Sequence, residues 1–551
     1  MDTEHFDVVV AGTGAAGLTA AVRAAEAGAR VGLFEKADTV GGTSAWSGGM
    51  VWIPNNPQTA ELERPDSREA ALTYLRSLSH GLIEEDLAAA FVDAGPEVVR
   101  WLETFTPVRL SVIAGFPDYH PEHPGGRPDG GRSMECSLFP FSELGPWAQR
   151  VTVGYQLRGN ITMSETPLGR GAPGGVPAWE LARRQIKDER GAGQGLVGRL
   201  LRACLDRGVE PRTGMRAERL LTTEGIVTGV RFRSSAGEFE AHSTGGVVLA
   251  TGGFEWDDEL VRTFLRGPLA RSVSVPTNTG DGLRMAMRIG AGLGNMREAW
   301  WVPTIDVPQP ERGLVAWQVN GERSRPHCIM VNDGGRRFTN EAASYNAFGA
   351  AFHVLDPNTF EYTNHPCWMI FDQHYLTRYG LAGYRAEPPV PDWIVQADSI
   401  AALAAATGVP EPALAATVTR WNEHAAAGHD PDFDRGRSVY DRWWGDSEFE
   451  GLPASTIGPL DHPPFYAVRV RSGTLGTKGG PRTDGEARVL DVDGRPIPGL
   501  YAAGNVMASV MGMAYGGGGG TLGPAIIFGF LAGQHAAGRS TQRSLSTQRR
   551  A

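Results

Sequence analysis

The first apolar run, Phe6-Asp7-Val8-Val9-Val10-Ala11, lacks the strict alternation of a half-exposed strand. It predicts a strand buried on both faces, as in a parallel sheet. The Ala- and Leu-rich stretch Leu18 to Ala25 predicts a helix closed near Gly28. Ala29-Arg30-Val31-Gly32-Leu33-Phe34 then predicts a second strand ending at Glu35, which completes a βαβ unit. From about 38 to 190 glycine and proline dominate, with one helix expected around 83–103. Leu196, Leu200, Leu201, Cys204 and Leu205 keep helical spacing over 194–205. The pattern turns β-like over about 209–242, most clearly at 226–232, and Gly246-Val247-Val248-Leu249 reads as another buried strand. It runs into the turn Ala250-Thr251-Gly252-Gly253. Between about 290 and 460 the composition shifts, with the pairs Trp300-Trp301 and Trp443-Trp444 and an Ala-rich helical stretch at 398–427. A last apolar helix is expected from Pro524 to about Ala537, and the Ser/Thr/Gln/Arg tail 539–551 reads as disordered.

Composition narrows the class. Glycine supplies 73 of 551 residues, well above the usual ~7%, and clusters in short runs without a triplet period. Such runs suit tight turns and backbone–ligand approaches. The net charge of −10 leaves no cationic surplus for displacing counterions from nucleic acid. Cys136, Cys204, Cys328 and Cys367 lie far apart. That disfavours a zinc or iron–sulfur site and a disulfide framework, and fits a reducing cytoplasm. The acidic start runs straight into a strand pattern, unlike a signal peptide. No apolar run approaches the roughly 20 residues that span a bilayer, so no integral membrane segment is expected. Peripheral membrane contact is left open. His120-Pro121-Glu122-His123 sits in a Pro/Gly-rich loop without two further obvious ligands, so no metal is expected.

Gly12-x-Gly14-x-x-Gly17 is a dinucleotide fingerprint in its required context: a strand before, a helix after, and Glu35 at the end of the next strand. Gly12 permits the turn, Gly14 lets backbone approach a pyrophosphate, and Gly17 allows close helix–strand packing. The pyrophosphate would lie at the helix N-terminus, beside Ala15 and Ala16. Glu35, followed by Lys36, would accept from the ribose hydroxyls. A second loop, Gly41-Gly42-Thr43-Ser44 through Ser47-Gly48-Gly49, offers N–H groups and hydroxyls along an elongated cofactor, which favours FAD over NAD. Gly504 and Asn505 give a third strand-to-turn element for the same cofactor, and Ala250, Thr251, Gly252 and Asp281 join it only through a family resemblance. Thr521 and Leu522 precede Gly523-Pro524, where a helix N-terminus would set partial positive charge beside a reduced flavin. The fold expected is α/β: a discontinuous Rossmann-like FAD-binding domain (1–289 and 461–538) with an inserted α+β substrate and catalytic domain (290–460).

These elements, with Thr279-Gly280-Asp281-Gly282, Gly479-Gly480, Thr483-Asp484 and Tyr501-Ala502-Ala503-Gly504-Asn505, resemble the scaffold shared by flavin-dependent fumarate reductases and ketosteroid dehydrogenases. Within it the chain most resembles 3-ketosteroid 1-dehydrogenases, along almost its whole length. The specific matches are Phe116-Pro117-Asp118-Tyr119-His120-Pro121-Glu122, Asn340-Glu341 leading to Tyr345-Asn346-x-Phe348-Gly349, and Ser509-Val510-Met511-Gly512-x-x-Tyr515 running into Gly516 to Gly520.

The resemblance implies that Tyr345 and Tyr119 abstract a proton, while Tyr515 and the N–H of Gly519 hold the substrate carbonyl. It implies proton loss at C2 and hydride transfer from C1 to flavin N5, with a 3-ketosteroid or similar ring ketone as substrate. An external, quinone-like electron acceptor would reoxidise the flavin. Covalently flavinylated members carry a His-Thr pattern that residues 43–49 lack, so FAD is expected to be non-covalent. The family commonly has Tyr-x-Gly-Pro-Gly at the carbonyl-binding tyrosine. Here five glycines stand, which implies a more flexible loop and a different ketone fit. The chemistry suits these residues. A neutral phenol, with a reference pKa near 10, is a poor base and needs a partner to share charge. Two donors aimed at an enolate oxygen acidify the adjacent C–H. The alternatives are a 4(5)-dehydrogenase or fumarate-type reductase on the same scaffold, or an FAD-binding protein without turnover. A dicarboxylate reductase needs cations, and Met511 to Pro524 contains no Arg or His.

Overall fold

The computed structural model describes residues 2–156, 159–171 and 175–548, with side chains described through residue 541. The N-terminal unit forms as the pattern predicts: β1 (Asp2–Ala11), α1 (Ala15–Glu26) and β2 (Val31–Phe34). β1 lies between β2 and the long strand Gly237–Leu249, parallel to both. Val8, Val9 and Val10 are fully buried, which is why their run shows no polar alternation. The far edge of Gly237–Leu249 is shared. Its first half pairs antiparallel with Ile226–Ser234, and its last residues pair parallel with Pro496–Ala502. The chain therefore returns to this sheet after a detour of about 250 residues, roughly the span from 249 to 496.

The C-terminal helix Leu522–Gln548 packs across α1 at glycine–alanine contacts. A Cβ on Gly529 or Gly533 would lie 2.4 Å from the carbonyl oxygen of Ala16 or Ala20. Those absent side chains let the two helices press together over the sheet.

The detour builds a second sheet. The strand Phe465–Thr477 is flanked by antiparallel Ala299–Gln309 and Cys367–Asp372, with Gly313–Gln318 and Cys328–Val331 at the outer positions. The expected boundary at 460/461 is corrected by this pairing. Phe465–Thr477 is the central strand of the inserted sheet, not the start of the returning one. Which sheet such a strand joins is set by partners distant in sequence.

Two further expectations are revised. The Ala-rich stretch 398–427 is two helices, Ile400–Thr407 and Glu411–Ala427, parted by Gly408 at φ 75° and by Pro410. The tail from 539 continues the helix to Gln548 rather than starting disordered. Ser540 anchors that turn by donating to Asp7 Oδ1 at 2.6 Å, a tie to β1 invisible in tail composition. Residues 549–551 lie outside the described residues. Among the described residues no helix is long and apolar enough to cross a membrane.

Candidate active site

A cavity with about 1770 Å³ of space, its mouth included, runs from the β1–α1 turn to the face of the inserted sheet. At one end stands the fingerprint. Gly12 has φ +111°, and a Cβ there would lie 2.1 Å from the Ala250 carbonyl oxygen. Only glycine lets the β1 turn cross the 250–252 turn so closely. Gly14 caps α1, and the Ala15 N–H donates to Ser44 Oγ at 3.0 Å, which ties the second glycine loop to the helix start. Gly12, Gly14, Ala15, Ala16, Gly42, Thr43, Ser44, Ser47, Gly48 and Gly49 all line the cavity. So do Ala250, Thr251, Gly252, Asp281, Gly504, Asn505, Thr521 and Leu522.

Gly17 and Gly41 do not line it. A Cβ on Gly17 would meet the Gly12 carbonyl oxygen at 2.0 Å, and one on Gly41 would meet Ala45 and Val197. Both shape the walls from behind.

Glu35 and Lys36 line the same end. The Glu35 carboxylate accepts from the Thr13 N–H at 3.0 Å, the Thr13 hydroxyl at 2.5 Å and the Ala37 N–H at 2.9 Å. Its orientation is thus fixed in advance, with lone pairs to spare for a ribose. Lys36 donates to the Thr277 carbonyl at 3.0 Å and to Thr279 Oγ1, and pairs with Asp281 at 3.0 Å. Replacing Lys36 with Met is expected to weaken FAD retention about tenfold, roughly 1.4 kcal/mol, by loosening the 277–281 wall. Titration of the apoprotein with FAD measures this, and an unchanged affinity removes Lys36 from the cofactor end.

The residues present fit a dinucleotide. The glycine cradle is one a Cβ would fill, and Thr251 Oγ1, buried at the cavity wall, has no hydrogen-bond partner. Sequence reasoning missed Thr13 and Asn278. Thr13 lies inside the fingerprint, so its signal was available. Asn278 donates to Thr43 Oγ1 at 3.1 Å and to Glu255 Oε1 at 2.7 Å, a contact formed only in the fold.

At the other end Tyr119, Tyr345, Tyr515 and Gly519 line the cavity together, although 226 residues separate the first two. The hydroxyls of Tyr119 and Tyr345 are 3.0 Å apart. The ring of Tyr515 lies 5.0 Å from that of Tyr119 and 5.6 Å from that of Tyr345, edge to face. Its hydroxyl is 3.1 Å from Thr521 Oγ1. Burial pushes Tyr119 and Tyr345 well above the usual phenol range, and neighbouring phenols add to it. Burial raises Tyr515 too, opposed by its contacts with Thr521, Tyr345 and the Gly519 N–H. At neutral pH all three are therefore neutral phenols: good donors, and bases only if charge is shared.

Tyr119 is held from behind. Its N–H donates to the Gly516 carbonyl at 3.0 Å. The adjacent Asp118 accepts from Trp52 Nε1 and Arg132 Nη1, both at 2.8 Å. Trp444 and Phe116 complete this end. The tryptophan pairs divide their roles: Trp444 lines the cavity, while Trp300 packs 4.6 Å from the Tyr515 ring.

The five-glycine run is closely packed, which corrects the expectation of a flexible loop. A Cβ on Gly516 or Gly517 would strike the Trp52 indole, one on Gly518 the Met50 methyl, and one on Gly519 the Met50 backbone at 2.5 Å. Glycine serves close approach here rather than freedom.

A dinucleotide cradle opening onto a buried cluster of phenols defines a flavin-dependent oxidoreductase. Comparison with known proteins agrees. The sequence matches the FAD binding domain family over residues 7–522. It is 43% identical to a 4-oxocyclohexanecarboxylate 2-dehydrogenase of Sinomonas cyclohexanicum, over 97% of this chain and 93% of that one. It is 38% identical to a 3-oxosteroid 1-dehydrogenase of Mycobacterium tuberculosis, over 98% of this chain and 100% of that one. The crystal structure of a 3-ketosteroid delta1-dehydrogenase from Sterolibacterium denitrificans, in complex with 1,4-androstadiene-3,17-dione, superposes with a TM-score of 0.89 at 36% identity, covering 97% of this chain and 99% of that one. The chain belongs to the 3-ketosteroid 1-dehydrogenase family of FAD-dependent oxidoreductases.

Proposed function

We propose that this protein removes two hydrogens from adjacent ring carbons beside a ketone, forming the C1–C2 double bond of a 3-ketosteroid. One observation carries the reading: two phenols paired at 3.0 Å stand beside a third phenol and a glycine N–H in the cavity that also contains the cofactor cradle. Tyr515 and the Gly519 N–H hold the ketone oxygen. Both are donors, and burial keeps the phenol protonated, as that role requires. The Tyr345–Tyr119 pair gives up one phenolic proton to water, and Tyr345, as the phenolate whose charge Tyr119 shares, takes the proton from the carbon next to the carbonyl. Bound FAD supplies the acceptor for the hydride from the neighbouring carbon. Phe116, Trp444, Met50 and Leu475 give an apolar, largely aromatic wall, while Gln156, Gln318 and Asn320 add neutral amides. That lining suits a flat apolar ketone.

FAD is held without a covalent bond, a reading supported by the described lining, which contains no His or Cys. A quinone-like acceptor reoxidises it. The four buried free cysteines fit work in a reducing cytoplasm.

A second reading keeps the chemistry and changes the ring. The higher identity to the 4-oxocyclohexanecarboxylate enzyme favours a monocyclic keto acid. Anaerobic mixing separates the two. The flavin absorbance should bleach with a saturated or 4-ene 3-ketosteroid, and mass spectrometry should show loss of two hydrogens at C1–C2. Bleaching by 4-oxocyclohexanecarboxylate alone transfers the assignment to the keto acid. No bleaching by any ring ketone ends it.

A further inference from the structure

Lys478 follows the central strand of the inserted sheet and is fully buried. Its ammonium has three N–H donors and meets three oxygens: Asn346 Oδ1 at 3.2 Å, the Met513 carbonyl at 3.0 Å and the Ala514 carbonyl at 2.6 Å. Asn346 follows Tyr345, and Ala514 precedes Tyr515. The same ammonium lies 4.2 Å from the centre of the Trp300 ring. Trp300 packs on Tyr515 and donates through Nε1 to Asn505 Oδ1 at 3.1 Å. The lysine backbone is fixed as well, its N–H donating to the Glu298 carbonyl and its carbonyl accepting from Ser509.

Resting on the proposed function, we propose that Lys478 is a positioning residue for the reaction, a buried ammonium that sets Tyr345 and Tyr515 in register across the substrate. An ordinary packing role does not account for this arrangement. Burying an ammonium is costly unless every donor is satisfied, and an apolar residue of the same length would fill the space without that cost. Here every donor is spent on a segment carrying a cavity tyrosine. Burial pushes the ammonium's pKa down and Arg266 adds to this, while Glu298 opposes it. Three oxygens and an indole face favour the charged form.

Lys478→Met in the FAD-loaded enzyme tests this. The expected result is a flavin reduction rate and kcat about 100-fold lower, from tyrosines misplaced by a fraction of an ångström to about 1 Å. KM should change less than about threefold, since the apolar walls that bind the ring are untouched. A role confined to stability would lower Tm but leave the reduction rate of folded, yellow enzyme unchanged, and that result overturns the proposal. If Lys478→Met fails to fold, Asn346→Ala removes one of the three acceptors and should lower the reduction rate about tenfold with flavin retained. An unchanged rate there overturns it equally. The two readings fail separately. A wild-type enzyme that no ring ketone bleaches loses its assigned function, whereas a wild type that bleaches no faster than Lys478→Met loses only the clamp.

Discussion

Tyr345→Phe is expected to lower turnover by about 10³-fold, within the range for losing a positioned general base, while FAD stays bound. The substitution removes one oxygen from a ring that is 5% exposed and leaves its packing against Tyr119 and Tyr515 intact. Loss of activity would therefore report chemistry rather than folding. The oxygen matters because it is 3.0 Å from Tyr119 Oη. Burial raises both phenols, so neither ionises alone near neutral pH. The pair must first lose one proton, and the 3.0 Å contact lets Tyr119 share the phenolate charge that makes Tyr345 a base.

The sign of the pH dependence follows. A phenol whose pKa is raised stays protonated through neutral pH and yields more phenolate as pH climbs. Wild-type kcat should thus increase into the alkaline range, and Tyr345→Phe should lose that increase along with its rate. Tyr119→Phe keeps the Tyr345 oxygen proposed to take the proton and should cost less, about 10–100-fold. Rapid-mixing measurement of flavin reduction across pH decides the matter. A Tyr345→Phe enzyme with wild-type rates would remove the base.

How much of this was legible beforehand depends on how far apart the cooperating residues lie. The cofactor end was readable because its parts are local. One turn, one helix start and one acidic strand end fall within 35 residues, and backbone geometry restricts what can occupy them. Even there, Gly17 and Gly41 turned out to support the cavity rather than line it. The tyrosines were reachable only through resemblance, since no periodicity brings Tyr119, Tyr345 and Tyr515 together. Phe465–Thr477 falls past the expected boundary at 460/461, and its partners, not its residues, place it in the inserted sheet. Lys478 carries no signal in sequence. A lysine after a strand reads as a solvated charge, and only the converging carbonyls of Met513 and Ala514 make it otherwise.

The glycine run shows how composition can mislead. Five glycines in succession suggest chain entropy. The contacts point the other way, and they make a prediction that separates neighbouring positions. Gly519→Ala should reduce kcat/KM by about 10²–10³-fold, the cost of losing one oxyanion-type donor. Residue 519 has φ +98°, and a Cβ there would sit 2.5 Å from Met50 C, Met50 O and Val51 N, all main-chain atoms that cannot swing aside. The peptide must rotate or retreat, which turns its N–H away from the Tyr515 hydroxyl.

At Gly518 the obstruction is the tip of Met50, with its methyl at 2.5 Å, and the Phe116 ring at 2.9 Å. A methionine end can swing to another rotamer, so Gly518→Ala should cost no more than about tenfold. Both variants should remain yellow, because the cofactor-end glycines are untouched. Measured side by side on one ring ketone, with flavin content fixed, the pair distinguishes a carbonyl-binding amide at 519 from general crowding of the loop. Equal losses at the two positions would leave Tyr515 as the sole donor to the ketone, and the barrier lowering assigned to the Gly519 N–H would have to come from elsewhere in the cavity.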